Sequence, residues 1–188
     1  MDRRELLRAI AALTGCAFVG EQRAEALVYV HTDGWSTYLD DNIALLDEIA
    51  ETILPRTDTP GAKDARVGAF IARYSSACYA PADLTILREG IADLDVHSRK
   101  AYGMGFVNCT SAQKQKLLTD IDAEAKRHAR EAADNRGQSP HWFTLCKQLT
   151  LMSFFTSEAG ATHVARYRPV PGAYKGVVAY KGETFWAW

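Results

Sequence analysis

The sequence predicts an all-α protein, a single helical bundle-like domain with an extended, irregular C-terminal arm. Three observations point there. Apolar residues recur at three- and four-residue steps from Asp40 onward, the period of a helix with one buried face. No period-two alternation and no Asn-Gly hairpin signal interrupts that pattern. Beyond Arg166 the run Arg-Tyr-Arg-Pro-Val-Pro-Gly-Ala-Tyr174 fixes backbone angles that a helix does not tolerate.

The first helix carries Ile43, Leu46, Ile49, Ile53 and Leu54 on one face, with Asp40 or Asp41 as cap and Pro55 as stop. Arg56-Thr-Asp-Thr-Pro-Gly61 reads as a turn in which Asp58 bonds to backbone amides and Pro60 fixes φ. A second helix is expected from Asp64 to Cys78, with Val67, Phe70, Ile71 and Tyr74. The third opens at Ala80-Pro81, shows Leu84, Leu87, Ile91 and Leu94, and ends at Tyr102-Gly103. Thr110 with Gln113 forms a capping box for the fourth, whose charged, alanine-rich second half (123–134) is expected to project into solvent. Ser139-Pro140 is expected to start a fifth helix, apolar nearly all round from Trp142 to Phe155 and therefore central. A short helix from Ser157 to Arg166 then leads into the arm.

The totals narrow the function. A chain of 188 residues suits one domain able to bury a sizeable core. Its formal charge of −1 gives no long-range pull toward nucleic acid or anionic lipid. The charge-free runs at 9–20 and 148–157 fall short of the ~20 residues of a membrane span. Residues 1–26 have the layout of an export signal: Arg3 and Arg4 precede the uncharged run Ala9–Gly20. Arg3-Arg4-Glu5-Leu6-Leu7 resembles the twin-arginine pattern, with Asp2 and Leu6 replacing its usual residues. The other reading is an amphipathic helix, which arginines in a first turn disfavour. Leu13-Thr14-Gly15-Cys16 also fits a lipoprotein box, though a plain Cys16 in the apolar run is the simpler reading, and Ala24-Glu25-Ala26 is a poor cleavage site.

If Cys16 leaves with the signal, an exported body keeps Cys78, Cys109 and Cys146. Cys78 and Cys109, both near helix ends, are the natural disulfide pair, worth roughly 3–4 kcal/mol in the chain-entropy model. Three free thiols are the alternative. Cys146, inside an apolar helix, reads as a small buried hydrophobe.

No catalytic, cofactor-binding or metal-binding constellation emerges. Glu-x-x-His pairs of a di-iron bundle are missing, since Glu124 and His128 are four apart. His31, His97, His128, His141 and His163 are scattered. There is no Gly-x-Ser-x-Gly elbow and no Cys-x-x-Cys-His haem box. Gly103-Met-Gly105 follows a helix rather than a strand, so it is a helix terminator and not a phosphate loop.

Three blocks resemble the gluconate 2-dehydrogenase subunit 3 (small subunit) family. The first is Leu45-Leu-Asp-Glu-Ile-Ala-Glu-Thr-Ile-Leu-Pro-Arg-Thr-Asp-Thr-Pro-Gly-Ala62. The second comprises Leu94-Asp95, Ser98, Tyr102-Gly103 and Phe106, leading into Thr110 and Gln113. The third runs from Leu149 through Ser157-Glu-Ala-Gly160 to Pro169-Val-Pro-Gly-Ala-Tyr174 and Tyr180. Ala159 and His163 depart from the family's commoner residues, and the ending Phe185-Trp-Ala-Trp188 is richer in tryptophan.

The resemblance implies a non-catalytic, chaperone-like accessory subunit. Its expected partner is a large FAD-carrying dehydrogenase of the glucose-methanol-choline (GMC) class. A third subunit with haem c often completes such a complex, which sits in the periplasm and meets the inner membrane through its partners. Arg3 and Arg4 would address both proteins to the twin-arginine translocase. The expected partner interface is Phe154, Phe155, Tyr167, Pro169, Pro171, Tyr174, Tyr180, Trp186 and Trp188, aromatic anchors of the type enriched at interface centres. A different expectation is a stand-alone periplasmic structural or ligand-binding bundle, its apolar pocket lined by Trp142, Phe143, Phe154 and Phe155.

Overall fold

The structure is a computed structural model that describes residues 34–134, 138–170, 172, 173, 177 and 179–187. The export-signal segment 1–26 with Arg3, Arg4 and Cys16, and the arm residues Pro171, Tyr174 and Trp188, lie outside the described residues, as does the side chain of Trp186. Two compact units divide the chain, Met1–Thr37 and Tyr38–Trp188.

The fold is all-α. Its helices are α1 (Gly34–Asp41), α2 (Ile43–Ile53), α3 (Val67–Cys78), α4 (Pro81–Tyr102), α5 (Ser111–Asp134) and α6 (Trp142–Thr156). A 3₁₀ turn at Phe106–Asn108 joins α4 to α5. Among the described residues no helix is long and apolar enough to cross a membrane.

α6 is the central helix, packing against α2, α3, α4 and α5. It is buried around most of its circumference, through Phe143, Leu145, Cys146, Leu149, Thr150, Ser153 and Phe154. The expected apolar faces supply the surrounding core: Leu46 and Ile49 from α2, Val67 and Ile71 from α3, Leu87, Ile91 and Leu94 from α4. Burial of such side chains stabilises by about 1.5–3 kcal/mol each. Phe106 of the 3₁₀ turn is fully buried, its amide held by the Asp95 carboxylate at 2.8 Å. α4 ends as expected on Gly103, whose φ of +73° only glycine adopts cheaply. The Thr110 capping box forms too, with Thr110 N–H donating to Gln113 Oε1 at 2.9 Å and Gln113 N–H to Thr110 Oγ1 at 3.4 Å.

Several boundaries differ from the sequence expectation. α1 runs through Asp40 and Asp41, so neither caps α2, and Asn42 between the helices donates to Tyr38 O at 2.8 Å. α3 begins at Val67 rather than Asp64. The Asp47 carboxylate, from α2, accepts the Gly68 amide at 2.9 Å and replaces a local cap. Asp64, not Asp58, organises the preceding turn, accepting the Gly61 amide at 2.8 Å. α6 is capped by His141 instead of starting at Ser139-Pro140. The second half of α5 is mostly exposed, but Ala125 is buried and Asp122 pairs with Lys147 of α6. The expected short helix from Ser157 to Arg166 forms over 158–164, widening into the π-turn Gly160–Val164.

Candidate interaction surface

The π-turn sets where the chain leaves the bundle. Ser157 Oγ donates to Phe154 O at 2.6 Å and accepts the Gly160 amide at 3.1 Å. A Cβ at Gly160 would collide with the Phe154 carbonyl, so the close turn requires glycine there. Ala165 N–H then donates to Gly160 O at 3.0 Å, the five-residue bond that closes the turn.

Directly after it, β1 (Arg166–Tyr167) pairs in parallel with β2 (Trp186–Ala187), the far end of the arm. Arg166 is the fastener. Its amide donates to Phe185 O at 2.9 Å, its Nε to Thr184 O at 3.0 Å, and its guanidinium pairs with Glu183 at 3.4 Å. Phe185 lies edge-on to Phe155 of α6, ring centroids 5.3 Å apart, and Phe155 is edge-on to Phe154 at 5.2 Å. An aromatic relay thus ties the returning arm to the core. A shallow cleft of about 650 Å³ lies beside it, lined by Arg166, Ala179, Tyr180, Gly182, Glu183, Thr184 and Phe185.

Several large apolar side chains of the described arm are exposed. Tyr167 is 52% exposed, Val170 76%, Val177 96%, Tyr180 82% and Phe185 52%. Pro169 is exposed as well. Large apolar side chains left exposed in this number are the material of contact surfaces. Of the expected interface residues, Tyr167, Pro169 and Tyr180 are on this surface and Phe155 is half-buried beneath it. Phe154 is 3% exposed and belongs to the core, where it supports the surface without forming it.

Arg166, Glu183, Thr184 and Phe185 were not legible as the arm's fasteners, nor Val170 and Val177 as part of its surface. Two residues pairing with two others far along the chain leave no periodic signal.

The other expected sites resolve differently. Cys78, Cys109 and Cys146 are free thiols, so the expected Cys78–Cys109 disulfide is not formed. Cys78 is exposed at the end of α3, while Cys109 is buried against Ser98 Oγ at 3.0 Å. Burial pushes the Cys146 thiol up to about 12, outweighing its hydrogen bond with Thr150, which keeps it protonated and unreactive. Phe143 and Phe154 are core residues and Trp142 packs on Gly90 of α4; three clefts among the described residues are lined by other side chains. Among the described residues no group of three His, Cys, Asp or Glu is arranged to hold a metal ion.

The fold defines a class: an all-α domain followed by an arm that Arg166 and Phe185 fasten back to it, with large apolar side chains exposed along it. The chain matches the family described as gluconate 2-dehydrogenase subunit 3 over residues 40–172, well over half its length. It belongs to that family, whose members are subunits of a dehydrogenase complex. No curated protein and no solved structure gives a significant match.

Proposed function

We propose that this chain is the non-catalytic accessory subunit of a membrane-associated, flavin-dependent sugar or sugar-acid dehydrogenase. It binds the FAD-carrying GMC-type subunit, assists its folding and stability, and supplies the twin-arginine signal, Arg3 and Arg4, that carries both into the periplasm. A cytochrome subunit with haem c receives the electrons. Family membership supports the assignment to a complex, and the apolar arm is the observation that carries the contact. Tyr167, Tyr180 and Phe185 are large, rigid and exposed, the residue types that dominate binding energy when a partner desolvates them.

The test is purification of the tagged full chain from its own cell envelope. A co-eluting flavoprotein with a flavin spectrum is expected. Tyr180→Ala should weaken that complex by more than ~1 kcal/mol while the isolated subunit melts unchanged. Elution of a colourless monomer under gentle extraction would sink the reading. Replacing Arg3 and Arg4 by lysine should leave both proteins in the cytoplasm; a flavoprotein that still reaches the periplasm would refute the carrier role.

A further inference from the structure

The central helix is capped by a histidine, and only one protonation state of that histidine can cap. At the start of α6, His141 has extended backbone angles and its Nδ1 accepts the Phe143 amide at 3.2 Å. An imidazole nitrogen accepts only when it carries a lone pair, so Nδ1 is unprotonated and the ring proton sits on Nε2. Asn, Asp, Ser and Thr caps work through oxygens that accept throughout the physiological range. This cap stops working once the ring takes a second proton.

The surroundings sharpen the effect. The His128 ring, on α5, lies edge-on to His141 with centroids 5.7 Å apart, so two imidazolium ions would face each other. Gln138 Nε2 lies 3.0 Å from His128 Nε2 and holds that ring in place. α6 has no acidic residue in its first turn to offset a cation there, and the helix N-terminus is itself the positive end of the dipole. Glu124, also on α5, acts in the other direction. From α4 the residue beneath the neighbouring Trp142 is Gly90, which carries no charge. Burial, the largest effect, and the His128 charge hold the His141 pKa below 6.5 against the pull of Glu124.

We infer that His141 is a proton-sensitive cap that releases the first turn of α6, and with it Trp142, as the pH falls into the mildly acidic range. A histidine whose folded pKa lies below its unfolded value leaves stability intact at high pH. Stability is lost once the pH drops below the unfolded value of about 6.5, and the loss levels off below the folded pKa. The unlocked element is the start of the central helix. Its first residue, Trp142, lies so close over Gly90 that no side chain fits between them. The device is independent of what the arm binds.

The experiment is amide hydrogen exchange of the full chain at pH 7.5 and 5.5, corrected for intrinsic exchange, with melting curves at both. In the wild type the Phe143 amide should lose protection about five- to tenfold at the lower pH, the scale of losing one cap. His141→Asn, whose side-chain oxygen caps at either pH, should keep Phe143 protection level and shrink the fall in melting temperature. His128→Gln, which leaves the cap but removes the facing cation, should let the His141 pKa rise toward its unfolded value and so weaken the pH response in both assays; an unchanged response would count against the facing ring's part in the device. Equal pH responses in wild type and His141→Asn would overturn the inference, as would constant protection of the wild-type Phe143 amide.

Discussion

Replacing Gly90 by alanine sets two opposing effects against each other at a single residue. Glycine inside a helix costs about 1 kcal/mol relative to alanine, so on propensity alone the change stabilises α4. Gly90 is buried, however, and a Cβ there would run into the Trp142 ring at the start of α6. Overpacking of this kind costs about 1–3 kcal/mol, and a rigid indole has no flexible end to move aside. Packing wins, and Gly90→Ala should destabilise by about 1–2 kcal/mol. A lowered denaturant midpoint with an unchanged slope is the expected result. A raised midpoint would mean that Trp142 repositions freely. The sequence offered no sign of this pairing, because a lone glycine in a helix pattern names no partner.

Between elements, Glu48 is the clearest link. From α2 its carboxylate takes Lys63 on one oxygen and Lys114 of α5 on the other, at 2.5 and 2.8 Å. The Lys114 side chain is only 11% exposed and its ammonium also lies over the Phe106 ring, 5.9 Å from the centroid. Burial alone would raise the Glu48 pKa, but the two lysines outweigh it and bring the net value below 4.5. A depressed carboxyl contributes stability above its unfolded pKa and loses it as the pH falls through the folded value. The contribution is therefore whole at neutral pH and drains away below about 4.5. Glu48→Gln leaves Lys114 partly buried without its counter-ion, at a cost of about 1–2 kcal/mol at pH 7. Its melting curve should approach the wild type's near pH 3; a difference that persists there would assign the loss to packing. Legibility at this scale follows the range of the signal. The Thr110–Gln113 box and the Gly103 stop are local and were readable in sequence. The start of α3 depends on Asp47, 21 residues before the amide it caps, and α6 uses His141 although Ser139-Pro140 gives the stronger local cue. The same limit hid Arg166 and the arm's return to Phe155.

For the molecule as a whole, the question is whether the arm belongs to the body or to a partner. Among the described residues the core cluster is built from α1 to α6, the 3₁₀ turn and Ala62 of the α2–α3 loop, and the partly buried side chains packed against it run no further than Val164. Among the described residues the arm gives the body the Phe185 ring on half-buried Phe155 and the Arg166 bonds at its edge. An edge-to-face pair contributes about 0.5–1.5 kcal/mol, and an exposed ion pair at most about 1 kcal/mol. Removing everything after Tyr167 should therefore lower the melting temperature of the subunit by only a few degrees, about 2–4 °C per kcal/mol for a domain of this size. The helical circular dichroism should be retained. The same truncation takes away Val170, Val177, Tyr180 and Phe185, most of the exposed apolar surface of the arm, so capture of a dehydrogenase partner should fail. The two readouts separate the possibilities. Cooperative unfolding of the truncated chain would assign the arm to the protein's own fold, and undiminished partner capture would move the interface to the helical body.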